Sequence, residues 1–236
     1  SWKHTTNSPI HGSPCLVGSD VCFVTENGTI WFITALNTVR KKISLNTFCK
    51  SSPIENKGVV FVATENGNLV AVSKENERVW EYKLESRLCS GPLIEKNMLY
   101  IASMAGKIFK FSTKGKLLWE TRISGVPVEK SLITTTQNVF IGNKQGTLFC
   151  LNSKNGKILW TYQSKYAILP SILVTSKYVF LGNEGNEALF LDPKTGNEIF
   201  KWNIEAPALS SPIYDNDLLI IGTGKKVLTF DTSIFK

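Results

Sequence analysis

Val139-Phe140-Ile141-Gly142, Gln145-Gly146, Leu148-Phe149-Cys150-Leu151 and Ile158-Leu159-Trp160-Thr161-Tyr162 follow one another along the chain. Three short runs rich in β-branched and aromatic residues, broken at glycines, read as three strands of an antiparallel meander. The same text occurs earlier as Val59-Val60-Phe61-Val62-Ala63, Glu65-Asn66-Gly67, Leu69-Val70-Ala71-Val72 and Arg78-Val79-Trp80-Glu81-Tyr82-Lys83-Leu84. There a first strand precedes it, Ser51-Ser52-Pro53-Ile54-Glu55, closed by Asn56-Lys57-Gly58. The Asn-Gly pair at 66–67 predicts a tight hairpin that uses positive φ.

Working outward, this four-strand unit recurs along the whole chain. Pro14, Pro53, Pro92, Leu132, Ile172 and Pro212 mark the same point in each copy, at steps of 39, 39, 40, 40 and 40 residues. A turn glycine follows in each: Gly28, Gly67, Gly106, Gly146, Gly185 and Gly224, with Asn186 as the alternative in the fifth. Units of four antiparallel strands at such a period predict an all-β fold, a β-propeller of four-stranded blades with almost no helix. The second and third strands are apolar on both sides, as a blade covered on both faces requires. The repeats fall at about 8–46, 47–85, 86–124, 125–164, 165–205 and 206–236, in one domain over 1–236. The last unit stops after Val227-Leu228-Thr229-Phe230-Asp231, whereas Ser1-Trp2-Lys3-His4 reads as a fourth strand without a blade. Six blades closed by residues 1–7 are therefore expected. The alternative is a fragment of a seven- or eight-bladed propeller.

Leu151-Asn152-Ser153-Lys154-Asn155-Gly156-Lys157-Ile158-Leu159-Trp160, Leu191-Asp192-Pro193-Lys194-Thr195-Gly196-Asn197-Glu198-Ile199-Phe200 and Phe111-Ser112-Thr113-Lys114-Gly115-Lys116-Leu117-Leu118-Trp119 resemble the repeat of pyrroloquinoline-quinone (PQQ) quinoproteins. The resemblance implies that the tryptophan ending the motif docks between blades. The matching positions are Trp2, Trp80, Trp119 and Trp160; the fifth unit carries Phe200 there and Trp202 two residues on, and the first carries Lys41. Ser1-Trp2-Lys3-His4, Leu209-Ser210-Ser211-Pro212 and Leu219-Ile220-Ile221-Gly222 are most similar to the C-terminal propeller of β-alanine-activating, acyl-adenylate-forming enzymes. Their repeat-level features are shared with eight-bladed outer-membrane assembly lipoproteins.

Catalytic quinoproteins of this kind hold the quinone against a ring made by two adjacent cysteines, with Ca²⁺ on Glu, Asn and Asp. Here Cys15, Cys22, Cys49, Cys89 and Cys150 include no adjacent pair, so PQQ and any other cofactor are not expected. GxSxG, P-loop and HExxH motifs are lacking. His4 and His11 bracket no cysteine pair and read as surface or first-blade packing positions. Asp215 and Asp217 flank Asn216 and read as turn residues.

A net charge of +8 invites a nucleic-acid reading, but the longest basic run is Arg40-Lys41-Lys42. Nucleic acid is not the expected partner. No apolar stretch approaches the roughly 18 residues that span a bilayer. Five cysteines without a CxxC suggest free thiols in a reducing, cytoplasmic setting. Ser1-Trp2-Lys3-His4 does not read as a signal peptide, and the chain, starting without Met, reads as cut from a longer protein.

A binding surface remains. In a propeller, the inter-blade loops and the hairpins between second and third strands open on one face, and function concentrates on such loops. Inter-blade loops Asn46-Thr47-Phe48, Ser86-Arg87-Leu88, Gly125-Val126-Pro127, Lys165-Tyr166-Ala167 and Ala206-Pro207-Ala208 vary most, with Glu26, Glu65, Met104, Lys144 and Glu184 on the hairpins. Phe48, Arg87, Met104, Lys144 and Tyr166 form the candidate surface, since aromatic and Arg side chains dominate interface energetics. Ser13, Ser52, Ser90, Lys130 and Ser210 are the expected channel lining. The leading expectation is a monomeric, non-catalytic module that binds a protein or other domains of its parent, an acyl-activating adenylation enzyme. Small-molecule binding in the channel, or an envelope assembly scaffold, are the alternatives.

Overall fold

The computed structural model describes residues 2–75, 78–88, 91–123, 132–168, 172–208, 212–224 and 226–234. Its elements are strands, with a single 3₁₀ turn at Thr232–Ile234 among the described residues. They form six antiparallel sheets, each in sequence order. The chain divides into two compact units, Ser1–Arg122 and Ile123–Lys236.

The first unit holds three four-stranded sheets. The first is β1 (Cys15–Val17), β2 (Asp20–Val24), β3 (Thr29–Ile33) and β4 (Val39–Ser44). The second is β5 (Ile54–Asn56), β6 (Val59–Ala63), β7 (Asn68–Ser73) and β8 (Trp80–Lys83). The third is β9 (Leu93–Glu95), β10 (Met98–Ala102), β11 (Lys107–Ser112) and β12 (Leu117–Arg122). Val24, Ile30, Phe32, Val60, Val62, Val70 and Val72 make one core between the first two sheets. Phe61, Ala71, Leu99, Ile101, Phe109 and Phe111 make another between the second and third. Alternate residues of β6 and β7 thus feed opposite cores, which is why these strands are apolar throughout.

The second unit repeats the plan. Its first sheet is β13 (Leu132–Thr134), β14 (Asn138–Gly142), β15 (Thr147–Asn152) and β16 (Ile158–Gln163). Next come β17 (Leu173–Val174), β18 (Val179–Gly182), β19 (Glu187–Leu191) and β20 (Glu198–Asn203). The last sheet is three-stranded, β21 (Ile213–Asp215), β22 (Leu218–Gly222) and β23 (Val227–Asp231). Phe140, Leu148, Trp160, Leu181 and Leu189 pack between the first two of these, and Phe180, Phe190, Leu219, Ile221 and Phe230 between the last two.

Two expectations change in detail. Residues 2–7 form no strand, and the sixth sheet has three strands among the described residues. The N-terminal segment is instead held at the β3–β4 turn, through Trp2, Lys3 and His4. The hairpin chemistry also differs. Asn66 is not at positive φ; Gly67 alone is, at 87°. The turn is four residues long, closed by the Gly67 N–H on the Thr64 carbonyl, while Asn66 Oδ1 accepts the Thr64 hydroxyl at 2.7 Å. A Cβ on Gly67 would stand 2.7 Å from the Ser86 carbonyl oxygen, so the inter-blade loop itself demands glycine. In the fifth repeat Asn186, at φ 62°, occupies this slot. Two-residue turns with both φ positive occur one hairpin earlier, at Lys57-Gly58, Lys96-Asn97 and Asn216-Asp217.

Candidate functional site

The loops expected to share a surface are hydrogen-bonded to one another. In the first unit the Glu26 N–H reaches the Pro9 carbonyl at 2.7 Å, Glu65 reaches Phe48 at 2.9 Å, and Met104 reaches Arg87 at 2.9 Å. In the second, Glu184 reaches Ala167 at 2.9 Å. The loops of Phe48, Arg87 and Ala167, and the segment of Pro9, are therefore each tied to the hairpin that follows them. That fixes the loop backbones on the sheets.

Phe48 is 65% exposed. Arg87 pairs with Glu65 at 2.6 Å, and Lys50 and His11 both approach Glu26, at 3.1 and 3.5 Å. The Lys50 ammonium, the main influence, holds the Glu26 carboxyl below its ordinary range. Met104 is half-buried. Phe48, Arg87 and Met104 thus stand on linked loops of the first unit. Lys144 and Tyr166 belong to the second. Lys144 is exposed, and the Tyr166 ring lies against the backbone of Gly185, with the Lys165 ammonium 5.4 Å from its centroid.

Of the expected channel residues, Ser13 and Ser52 meet, the Ser13 N–H donating to Ser52 Oγ at 2.9 Å. Gly12 and Gly91 both approach the Ser52 backbone, bringing the starts of the first three sheets together. Ser90, Lys130 and Ser210, and the loop Gly125-Val126-Pro127, lie outside the described residues.

The motif tryptophans make one repeated contact. Trp80 Nε1 donates to the Thr113 carbonyl at 3.0 Å and Trp160 Nε1 to that of Pro193 at 3.2 Å, each 33 residues on. Trp2 Nε1 donates to Ala35, also 33 residues on, at 2.8 Å. Gly115 forms the floor under Trp80: a Cβ there would stand 2.9 Å from the indole ring. Trp119 and Trp160 are buried, Trp80 is half-buried, and Trp2 is 43% exposed. Phe200 and Trp202 lie on β20, every residue of which is exposed; Phe200 faces Phe190 and Trp202 meets Phe230 edge-on at 4.5 Å.

The sequence reading passed over three features. Asp20, fully buried at the start of β2, is gripped by Arg40 at 2.7 Å and Lys74 at 3.0 Å. Burial raises its pKa, but the Lys74 and Arg40 contacts outweigh that and leave it below the ordinary carboxylate value. A charge at a position held by Val59 and Met98 in the next two repeats was the available signal. Cys15 and Cys22 are direct cross-strand partners, with the thiols hydrogen-bonded. Trp31, outside the repeat motif, stacks on Phe23 under the Lys42 ammonium. Among the described residues no three His, Cys, Asp or Glu side chains are grouped to hold a metal ion. No described helix is long and apolar enough to cross a membrane.

Comparison with known proteins agrees with this architecture. A family model described as outer membrane protein assembly factor BamB matches residues 38–167. No curated protein sequence matches. Among solved structures, BamB from Moraxella catarrhalis superposes with a TM-score of 0.79 at 18% identity, over 97% of this chain and 71% of that one. The computationally designed Ika8 protein gives 0.81 at 15% identity, over 98% and 73%. At such identities the structural likeness concerns the fold. The family match spans more than half of the chain, which therefore belongs to the PQQ-type repeat β-propellers described as outer membrane protein assembly factor BamB.

Proposed function

We propose that this chain is a non-catalytic protein-interaction module, with its six repeats acting as one monomeric domain. The observation that carries it is the linked loop surface of the first unit. Phe48 is exposed on a loop whose backbone is bonded to Glu65, and Glu65 in turn holds Arg87. An aromatic and an arginine on rigid supports are the groups that dominate protein interfaces, and fixing them beforehand lowers the ordering cost of binding.

The finer reading is that the module belongs to a cytoplasmic acyl-activating adenylation enzyme and presents a domain or substrate carrier of that parent. It rests on the N-terminal and last-repeat likeness and on free thiols at Cys15, Cys22, Cys49 and Cys150. The second reading, an envelope assembly scaffold, is favoured by the family description over residues 38–167. A photo-crosslinking amino acid at Phe48 in cells separates them. Capture of an adenylation or carrier domain supports the first, and capture of an outer-membrane assembly component supports the second. Capture by the probe at position 48 is expected to fall sharply in an Arg87→Ala variant under both; undiminished capture would remove this surface from the proposal.

A further inference from the structure

The first sheet carries a polar cleft on the face that bears Phe23 and Trp31, reaching up to the Glu26 hairpin. Register places Phe23, Trp31 and Lys42 side by side, since Trp31 pairs with Phe23 across β2 and with Lys42 across β4. The Phe23 and Trp31 rings stack at 6.0 Å, and the Lys42 ammonium sits 3.8 Å from the Trp31 ring centroid. Residues 4–8 border this face, and the His4 ring meets Trp31 edge-on at 5.3 Å. Between them lies a cavity of about 420 Å³, lined among others by His4, Thr6, Thr25, Thr29, Trp31 and Lys42.

Two buried polar atoms of this lining, Trp31 Nε1 and His4 Nε2, have no hydrogen-bond partner among the described residues. Buried polar groups are normally satisfied, and an indole N–H is a donor only. The chemistry of His4 is fixed by its neighbour. Asn37 Nδ2 donates to the Lys3 carbonyl at 3.1 Å, which makes Asn37 Oδ1 an acceptor. His4 Nδ1, 3.0 Å from that oxygen, therefore carries a proton, and in the neutral tautomer this leaves the lone pair at Nε2. Beside the cleft, covered by its walls, thus lie an unpartnered donor and an unpartnered ring nitrogen, which a ligand reaches by a small shift of residues 4–8, together with the lysine ammonium, and the lining contains no carboxylate.

We infer that this cleft binds a small oxyanion that also carries a hydroxyl, a phosphate or an α-hydroxy carboxylate group. The anionic oxygens take the Trp31 N–H and the Lys42 ammonium, and the hydroxyl donates to His4 Nε2. The volume admits a group of metabolite size rather than a bare ion.

The test is a titration of the intact chain, labelled with ¹⁵N at the indoles, followed at the Trp31 resonance, which Trp31→Phe assigns. Inorganic phosphate and glycolate are the two probes, with sodium chloride at matched ionic strength as control. A saturable shift in either probe arm, absent in chloride, is expected, and the arm that saturates identifies the group. Lys42→Gln, on an exposed strand position, should weaken binding about fivefold while leaving the other indole resonances in place. No saturation with either probe, a shift matched by chloride, or unchanged affinity in Lys42→Gln would each overturn the inference.

Discussion

Lys41 Nζ donates to the Lys74 carbonyl at 3.1 Å, 33 residues on, so an ammonium makes the contact that indoles make from Trp2, Trp80 and Trp160. The first repeat's departure from the motif keeps the hydrogen bond and gives up the ring. Lys41→Ala should therefore cost about 1 kcal/mol, the worth of one hydrogen bond. Trp80→Phe should cost a similar amount, and Trp80→Ala about 3 kcal/mol or more because the ring leaves the Phe61 and Phe111 packing. Urea midpoints at constant slope measure all three.

Docking aromatics should not be equivalent. Trp160 is 9% exposed and Trp202 43%. Trp160→Ala is expected to cost about 3–5 kcal/mol and Trp202→Ala less than half of that. Gly196→Ala should also destabilise, by about 1–3 kcal/mol, because φ is 75° and the new methyl would enter the Trp160 ring. Equal losses for the two tryptophans would contradict the burial argument.

Acid should find Asp20. Its folded pKa lies below the usual 3.8, so its contribution to stability is complete above about pH 4 and fades as pH falls through the lowered value. Asp20→Asn should cost about 3 kcal/mol at pH 7, since it leaves Lys74 and Arg40 facing a neutral group. Thermal scans from pH 7 to pH 2 should bring wild type and variant together at the acid end.

Among the four described cysteines, Cys15 should alkylate first. The Cys22 thiol hydrogen-bonds to it and lowers its pKa, and it is half-buried, whereas burial pushes Cys150 up to about 12 and also raises Cys49. The bond to Cys15 raises Cys22 itself. Iodoacetamide at pH 8 with peptide mapping reads the order; early modification of Cys150 would contradict it.

The strand plan was legible because it is periodic. Val59–Ala63 and Val227–Asp231 coincide with observed strands, the ends of the other expected strands move by one to three residues, and Ser1–His4 alone gives no strand among the described residues. Periodicity speaks of what each repeat shares, so it is silent on what only one repeat does. Asp20, Lys41 and Trp31 are such exceptions, and their partners Lys74 and His4 lie 54 and 27 residues from Asp20 and Trp31. The candidate surface was legible as loops, but not as bonded pairs: nothing in the order of residues says that Glu65 meets both Phe48 and Arg87. The hairpins were misjudged because Asn-Gly suits two turn types, and the Ser86 carbonyl, distant in sequence, selects between them.

The 33-residue reach of the tryptophan N–H has a consequence for biosynthesis. Trp80 leaves the ribosome well before the carbonyl that receives it. At about 5–20 residues per second, the indole waits roughly 2–7 s for Thr113 to be made. During that interval a newly made sheet displays an unfastened aromatic to solvent or to a chaperone, and its neighbour's arrival is what fastens it.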